Sequence, residues 1–186
     1  MNIDLRLLKS SDEPILWKML VQAAHESSLA AVKANPDLVR YVRQWGKAGD
    51  LGVVAERHHV PIGAAWIRLW TDEGKGYGYL ADDIPELAIA VMPELKGQGI
   101  GTAMLKQLLE SAQTRYPAIS LSIRMSNPAL RLYQRLGFAA VAGSEVKNRA
   151  GDTSMTMIYK FPESSYIETF RASNAAYSYH CQIPVP

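Results

Sequence analysis

Apolar and polar positions divide this chain into alternating strand and helix periods. Ile3, Leu5 and Leu7 alternate with polar neighbours, which predicts a first strand. Ser11 or Asp12 can cap a helix from about Glu13 to His25, with Pro14 in its first turn and a buried stripe of Ile15, Leu16, Met19, Leu20 and Ala23. Residues 26–34 continue as irregular helix. Asn35-Pro36 repeats the cap-then-proline signal and predicts a helix to about Trp45, with Leu38, Val39, Val42 and Trp45 inward. Arg40, Arg43 and Lys47 read as its solvated face. Strands follow at Leu51 to Glu56 and Val60 to Trp70, joined by Arg57-His58-His59. The two histidines have no third ligand near them in sequence, which argues against zinc. A long polar approach, 72–85, is rich in tyrosine and carboxylate and leads into the next strand.

Leu87 to Met92 is a short apolar run with Ile89 and Val91, ended by Pro93, the pattern of a strand covered on both faces. A helix follows, with Met104, Leu105, Leu108, Leu109 and Ala112 at helical spacing. Ala118 to Arg124 is a strand, with Ile119, Leu121 and Ile123 facing one way. Next comes a helix opened by Asn127-Pro128 and closed by Gly137. Phe138 to Val146 and Thr153 to Phe161 pair as a final hairpin, with a Gly151-Asp152 turn in its connection. The order βααβββαβαββ requires a mixed α/β sheet with helices on both faces.

Between the central strand and its helix lies Lys96-Gly97-Gln98-Gly99-Ile100-Gly101-Thr102. Three glycines at alternate positions leave the backbone bare where the N–H groups of a helix start point outward, and such an end binds an anion, above all a phosphate. It is not a Walker loop, which needs Gly-Lys-Ser/Thr after four spacers. Nor is it a Rossmann loop, because the glycine spacing differs and Ser120, Ser122 and Arg124 occupy the next strand where an acid would be needed. A second signature, Asn127 to Phe138, turns Tyr133 inward beside Ala129, Leu132 and Leu136.

The basic residue, two spacers, Gly-x-Gly order after a Val-x-Pro strand end resembles the acetyl-CoA signature of the GNAT family of N-acetyltransferases. The Asn127–Phe138 stretch resembles that family's later motif. The first position is usually Arg or Gln; Lys96 departs from this and keeps the charge. The resemblance covers about 3–161, with its specific motifs in 86–138. It implies the GNAT fold, with a mixed, mostly antiparallel sheet in one domain (1–161). The 162–186 extension packs on its own domain or on a dimer partner. Acetyl-CoA is the implied cosubstrate, held by Lys96 to Thr102, by backbone near Ala90 or Val91 in a splayed central strand, and by Asn127. Tyr133 is the implied general acid. Glu86, opening the central strand, is either the base or a strand-end carboxylate in solvent. Asp82 and Asp83 are expected to attract a cationic amine. The first two helices and the loop between them form one wall of the acceptor site in that family, so 26–48 and 71–85 should decide the acceptor. A non-catalytic acyl-CoA-binding sensor of the same fold is the alternative function, and a purely structural protein a third.

Composition narrows the rest. The chain has 186 residues, 48% hydrophobic and 20% charged, enough for one real core. A net charge of +2 with no dense basic run argues against nucleic acid. The single cysteine, Cys181, excludes an intrachain disulfide and argues against a metal cluster. No activating motif surrounds it, so it is a poor nucleophile. The start lacks a signal peptide and no window is long enough to span a membrane, so a cytoplasmic protein is expected.

Overall fold

The computed structural model describes residues 3–70, 74–147 and 151–162. Strands β1 (Asp4–Leu7), β2 (Leu51–Arg57), β3 (Val60–Arg68) and β4 (Glu86–Val91) form one antiparallel half of the sheet. β5 (Ala118–Arg124) lies parallel to β4, and the second half is antiparallel again, through β8 (Thr153–Lys160) to the short β6 (Ala139–Ala140) and β7 (Val146–Lys147). The described strands run β1-β2-β3-β4-β5-β8-β6, with β7 also on β8. The sheet is mixed and mostly antiparallel, as expected.

Helices cover both faces. On one, α1 (Glu13–Ala24), α2 (Leu29–Ala34) and α3 (Pro36–Val39) bury Leu16, Met19 and Val32 against Ala64, Trp66 and Ala90. Ser28 and Asn35 cap α2 and α3 by accepting from Ala31 and Asp37 N–H. On the other face, α4 (Ile100–Ala112) buries Met104, Leu105 and Leu108 beneath β2 and β3. α5 (Leu130–Arg135) closes the same face, and Asn127 Oδ1 accepts from Ala129 N–H in the turn that opens it.

Two elements differ from expectation, each because polar side chains compete with the regular backbone hydrogen bonds. The helix expected to reach Trp45 ends at Val39. Beyond it, the carbonyls of Arg40, Arg43 and Gln44 turn to the buried Arg68 guanidinium, and Trp66 Nε1–H takes the carbonyl of Tyr41. Arg68 spends its remaining N–H groups on Asp50, at 2.9 and 2.6 Å, so all five donors are satisfied. Arg40 is not merely solvated either: it bonds Asp37 and the Lys75 carbonyl. The expected strand 138–146 breaks into β6 and β7 around Ser144. Its hydroxyl donates to Val141 O and accepts from Thr156 N–H, replacing ladder bonds. The 162–186 extension lies outside the described residues beyond Pro162, as does Cys181.

Candidate active site

β4 and β5 touch at one registered pair, Glu86 and Ser120, and then part. Ser120 N–H reaches Pro85 O at the closed end. Along an antiparallel ladder, alternate residues turn their N–H groups to opposite sides. Met92 N–H bonds Ile62 O in β3, so Ala90, of the same parity, also faces β3. The N–H groups of Ile89 and Val91 face the gap. Of the two backbone positions expected to serve the cofactor, the geometry therefore aims Val91 into the opening and turns Ala90 away.

On the α4 side of the gap, Lys96 to Gly99 form an exposed loop. Gly97 and Gly99 have φ of +79° and +81°, a region that favours glycine, and a Cβ at either would meet no protein atom within 4 Å. Gly99 is the N-cap of α4 and offers no capping side chain, so the N–H groups of Ile100, Gly101 and Thr102 have no helical acceptor. With glycine at the N-cap, the missing side-chain cap costs only about a few tenths of a kcal/mol. Each large apolar side chain that α4 buries returns about 1.5–3 kcal/mol. The helix is thus stable with an open, electropositive start. Gly101 is already helical, and a Cβ there would make ordinary contact with Leu132 at 3.5 Å.

On the opposite side, Glu86 is 2% exposed. It is therefore not a carboxylate in solvent. Oε1 accepts from the Tyr41 hydroxyl and from Gly78 N–H, both at 2.7 Å, and Oε2 accepts from Trp70 Nε1–H at 2.8 Å. Burial pushes its pKa up, while the three donors oppose that shift. Tyr41 is likewise held above its ordinary value, by burial and by the Glu86 charge. The 74–79 loop reaches this carboxylate because Gly76 and Gly78 stand against it. A Cβ at Gly76 would stand 1.9 Å from Glu86 Oε2, and one at Gly78 would stand 2.6 Å from the Leu121 carbonyl carbon.

Tyr133 sits across the same opening. It is buried, its ring edge-on to Phe138 at 5.6 Å, and its hydroxyl has no hydrogen-bond partner among the described residues. Burial raises its pKa, so the hydroxyl keeps its proton at neutral pH. A cavity of about 570 Å³ joins Glu86, Ala88, Ile89, Asn127 and Tyr133 in one space. Leu20, Ala23 and Leu38 supply its apolar wall, and His25 and Arg124 stand at its edge.

The structure brings Glu86, Tyr133 and Asn127 together, with Lys96 to Thr102 beyond the gap. It does not bring Asp82 and Asp83 into the cavity lining. Asp82 instead bonds Lys75 Nζ at 2.6 Å and the Tyr79 hydroxyl at 2.8 Å, with its side chain 74% exposed. The three carboxylates are thus not one cluster. Tyr41 and Trp70 were not anticipated. They meet Glu86 across 45 and 16 residues of sequence, and only the Gly76-x-Gly78 spacing, a sign of close backbone approach, marked the neighbourhood.

Residues 17–138 match the family model described as the acetyltransferase (GNAT) family. An N-alpha-acetyltransferase of Sulfurisphaera tokodaii is 40% identical over 58 residues, which is 30% of this chain and 35% of that protein. The match thus spans about a third of that relative's length. A protein from Salmonella typhimurium, solved with its cofactor acetyl-CoA, superposes with a TM-score of 0.63 at 20% identity, covering 88% of this chain and 96% of its own. The ribosomal-protein-alanine N-acetyltransferase of Brucella melitensis gives a TM-score of 0.63 at 22% identity, covering 85% and 99%. At these identities the superpositions establish a common fold. None of the described helices is long and apolar enough to cross a membrane.

Proposed function

Because this chain belongs to the GNAT family of acetyltransferases, whose acyl donor is acetyl-CoA, we propose that it transfers acetyl from acetyl-CoA directly to a primary amine. The observation that carries this reading is the opening between β4 and β5, where a buried carboxylate and a buried, uncommitted phenol line one cavity. The pyrophosphate of acetyl-CoA lies on the N–H groups of Gly97 to Thr102, with Lys96 adding charge near the surface. Asn127, whose Oδ1 is spent on Ala129, keeps its amide N–H groups for the cofactor's chain.

An alkyl ammonium must lose a proton before it attacks. Glu86 takes that proton, directly or through a water in the cavity. Its raised pKa brings it closer to the task than an ordinary carboxylate. The amine nitrogen then forms a bond to the thioester carbon, and the thioester oxygen gains charge as it accepts a hydrogen bond from the Val91 N–H. As the carbon–sulfur bond breaks, the Tyr133 hydroxyl gives its proton to the leaving thiolate. The alternative of a non-catalytic acyl-CoA sensor has no feature here that favours it.

The acceptor wall is mostly apolar, with Glu86 as its buried charge, and suits an amine carried on a short uncharged stem. The partial likeness to an N-alpha-acetyltransferase makes a peptide α-amine the first candidate. The test is release of free CoA thiol from acetyl-CoA on adding each of several amines: peptides with free N-termini, polyamines, lysine side chains and amino acids. Stoichiometric thiol and acetylated amine support the reading. Tight acetyl-CoA binding with no amine-dependent thiol from any acceptor would favour the sensor instead. Glu86→Gln should lower turnover and remove the acidic limb of the pH–rate profile, because activity rises with pH as Glu86 loses its proton.

A further inference from the structure

Tyr41 belongs to neither family signature, yet its hydroxyl is the junction of the acceptor side. It donates to Glu86 Oε1 at 2.7 Å and accepts from Tyr77 N–H at 3.0 Å. One oxygen therefore joins the carboxylate at the start of β4 to the loop that walls the cavity. The Tyr77 ring stacks on the Tyr41 ring at 6.4 Å and 17°, and Trp70 meets Tyr41 edge-on at 5.1 Å. Tyr41 itself cannot shift easily. Its carbonyl is held by Trp66 Nε1–H, and the flanking carbonyls of Arg40 and Arg43 are held by Arg68.

We propose that Tyr41 is a positioning residue, which orients Glu86 toward the incoming amine and ties the 74–79 loop down as the acceptor's wall through the same hydroxyl. The proposal rests on the reading of Glu86 as the base. It separates two roles by geometry. Trp70 also donates to Glu86, at 2.8 Å on the other oxygen, but its single indole N–H is spent there, so it meets the loop through ring contact at Gly76 rather than a hydrogen bond. Tyr41 acts on both base and wall.

The surroundings make the pH dependence interpretable. The two segments that clasp Glu86 carry Arg40, Tyr41, Arg43, Lys75, Tyr77 and Tyr79; of these the Tyr41 hydroxyl bonds it, Arg40 is the cation whose charge reaches it, and Lys75 and Tyr79 are turned to Asp82. Arg68 pairs with Glu86 in the β3–β4 register, but its guanidinium is committed to Asp50 and three carbonyls. β5 offers the uncharged Ser120 and Ser122 beside it, and α1 offers Leu20 and Ala23; Arg124 at the end of β5, His25 and Glu26 after α1, and Lys147 line the same cavity. Removing the Tyr41 hydroxyl takes a donor from the ionised carboxylate, so Glu86 should hold its proton to higher pH.

The experiment compares Tyr41→Phe, Trp70→Phe and Glu86→Gln by pH profiles of turnover and by separate Michaelis constants, using the best acceptor from the amine panel. Tyr41→Phe should move the acidic limb up by about one pH unit, a tenfold change in the proton equilibrium. It should also raise the acceptor's KM several-fold and leave that of acetyl-CoA unchanged. Trp70→Phe should move the limb in the same direction while leaving the acceptor's KM near wild type. If Tyr41→Phe lowers turnover equally at every pH, with limb and KM unmoved, the residue only packs and the proposal fails, while loss of the limb in Glu86→Gln would keep the base reading intact. If Glu86→Gln retains the limb, the base reading is wrong and the proposal falls with it.

Discussion

The two sides of the β4–β5 opening are built on opposite principles. The α4 side is made of backbone: an exposed loop, two glycines at positive φ and three N–H groups without acceptors. The Glu86 side is made of side chains drawn from positions 41, 70 and 86, buried and mutually bonded, with one backbone N–H from Gly78. The first surface can accept any ligand that carries the right anion. The second holds a carboxylate that burial alone would neutralise, so its geometry must be kept. On the proposed function, the side that would take the common cosubstrate is generic and the side that would deprotonate the amine is specific.

Tyr133 stands where the two sides meet, and losing its hydroxyl should have the largest effect. Tyr133→Phe keeps the ring against Phe138 and should cut kcat on the order of 10²-fold or more, with the acetyl-CoA KM nearly unchanged. Steady-state kinetics checks this, and normal turnover would reduce Tyr133 to a core aromatic.

The next test asks whether the sides are independent. Gly99→Val places a side chain at φ +81° and on the pyrophosphate path, and should weaken acetyl-CoA binding about tenfold, or ~1.4 kcal/mol, by calorimetry. The acceptor's KM should not change. Gly101, the more obvious target from sequence, should tolerate alanine better, because its backbone is helical and a Cβ there meets Leu132 at an ordinary distance. Gly76→Ala should do the reverse of Gly99→Val. Its methyl would strike Glu86 Oε2 and Trp70, displacing the wall, so the acceptor's KM should rise at least several-fold while acetyl-CoA affinity holds. Equal effects of both variants on both substrates would erase the comparison.

The smallest changes should come from the exposed charges. Lys96→Ala should weaken acetyl-CoA binding only a few-fold, since salt screens an exposed lysine. Asp82→Asn should change the acceptor's KM by about twofold or less, because an exposed pair with Lys75 contributes little. A large, salt-sensitive effect of Asp82→Asn would restore that carboxylate as a cation attractor.

The sequence by itself determined the order of strands and helices along the chain, the mixed sheet with helices on both faces and the glycine loop that opens α4. Those features are local. A glycine with positive φ, an uncapped helix start and an apolar stripe each depend on residues within a few positions of one another, so a linear pattern records them. Tertiary structure decided the acceptor side. Nothing in the neighbourhood of Glu86 shows that Tyr41 and Trp70 will close over it, or that Asp82 will turn away to Lys75. The early end of α3 has the same origin, since Arg68 lies 24 to 28 residues from the carbonyls that it takes. Burial sets these choices: once a charge is removed from water, its partners must come from whatever the fold places beside it, at any distance along the chain.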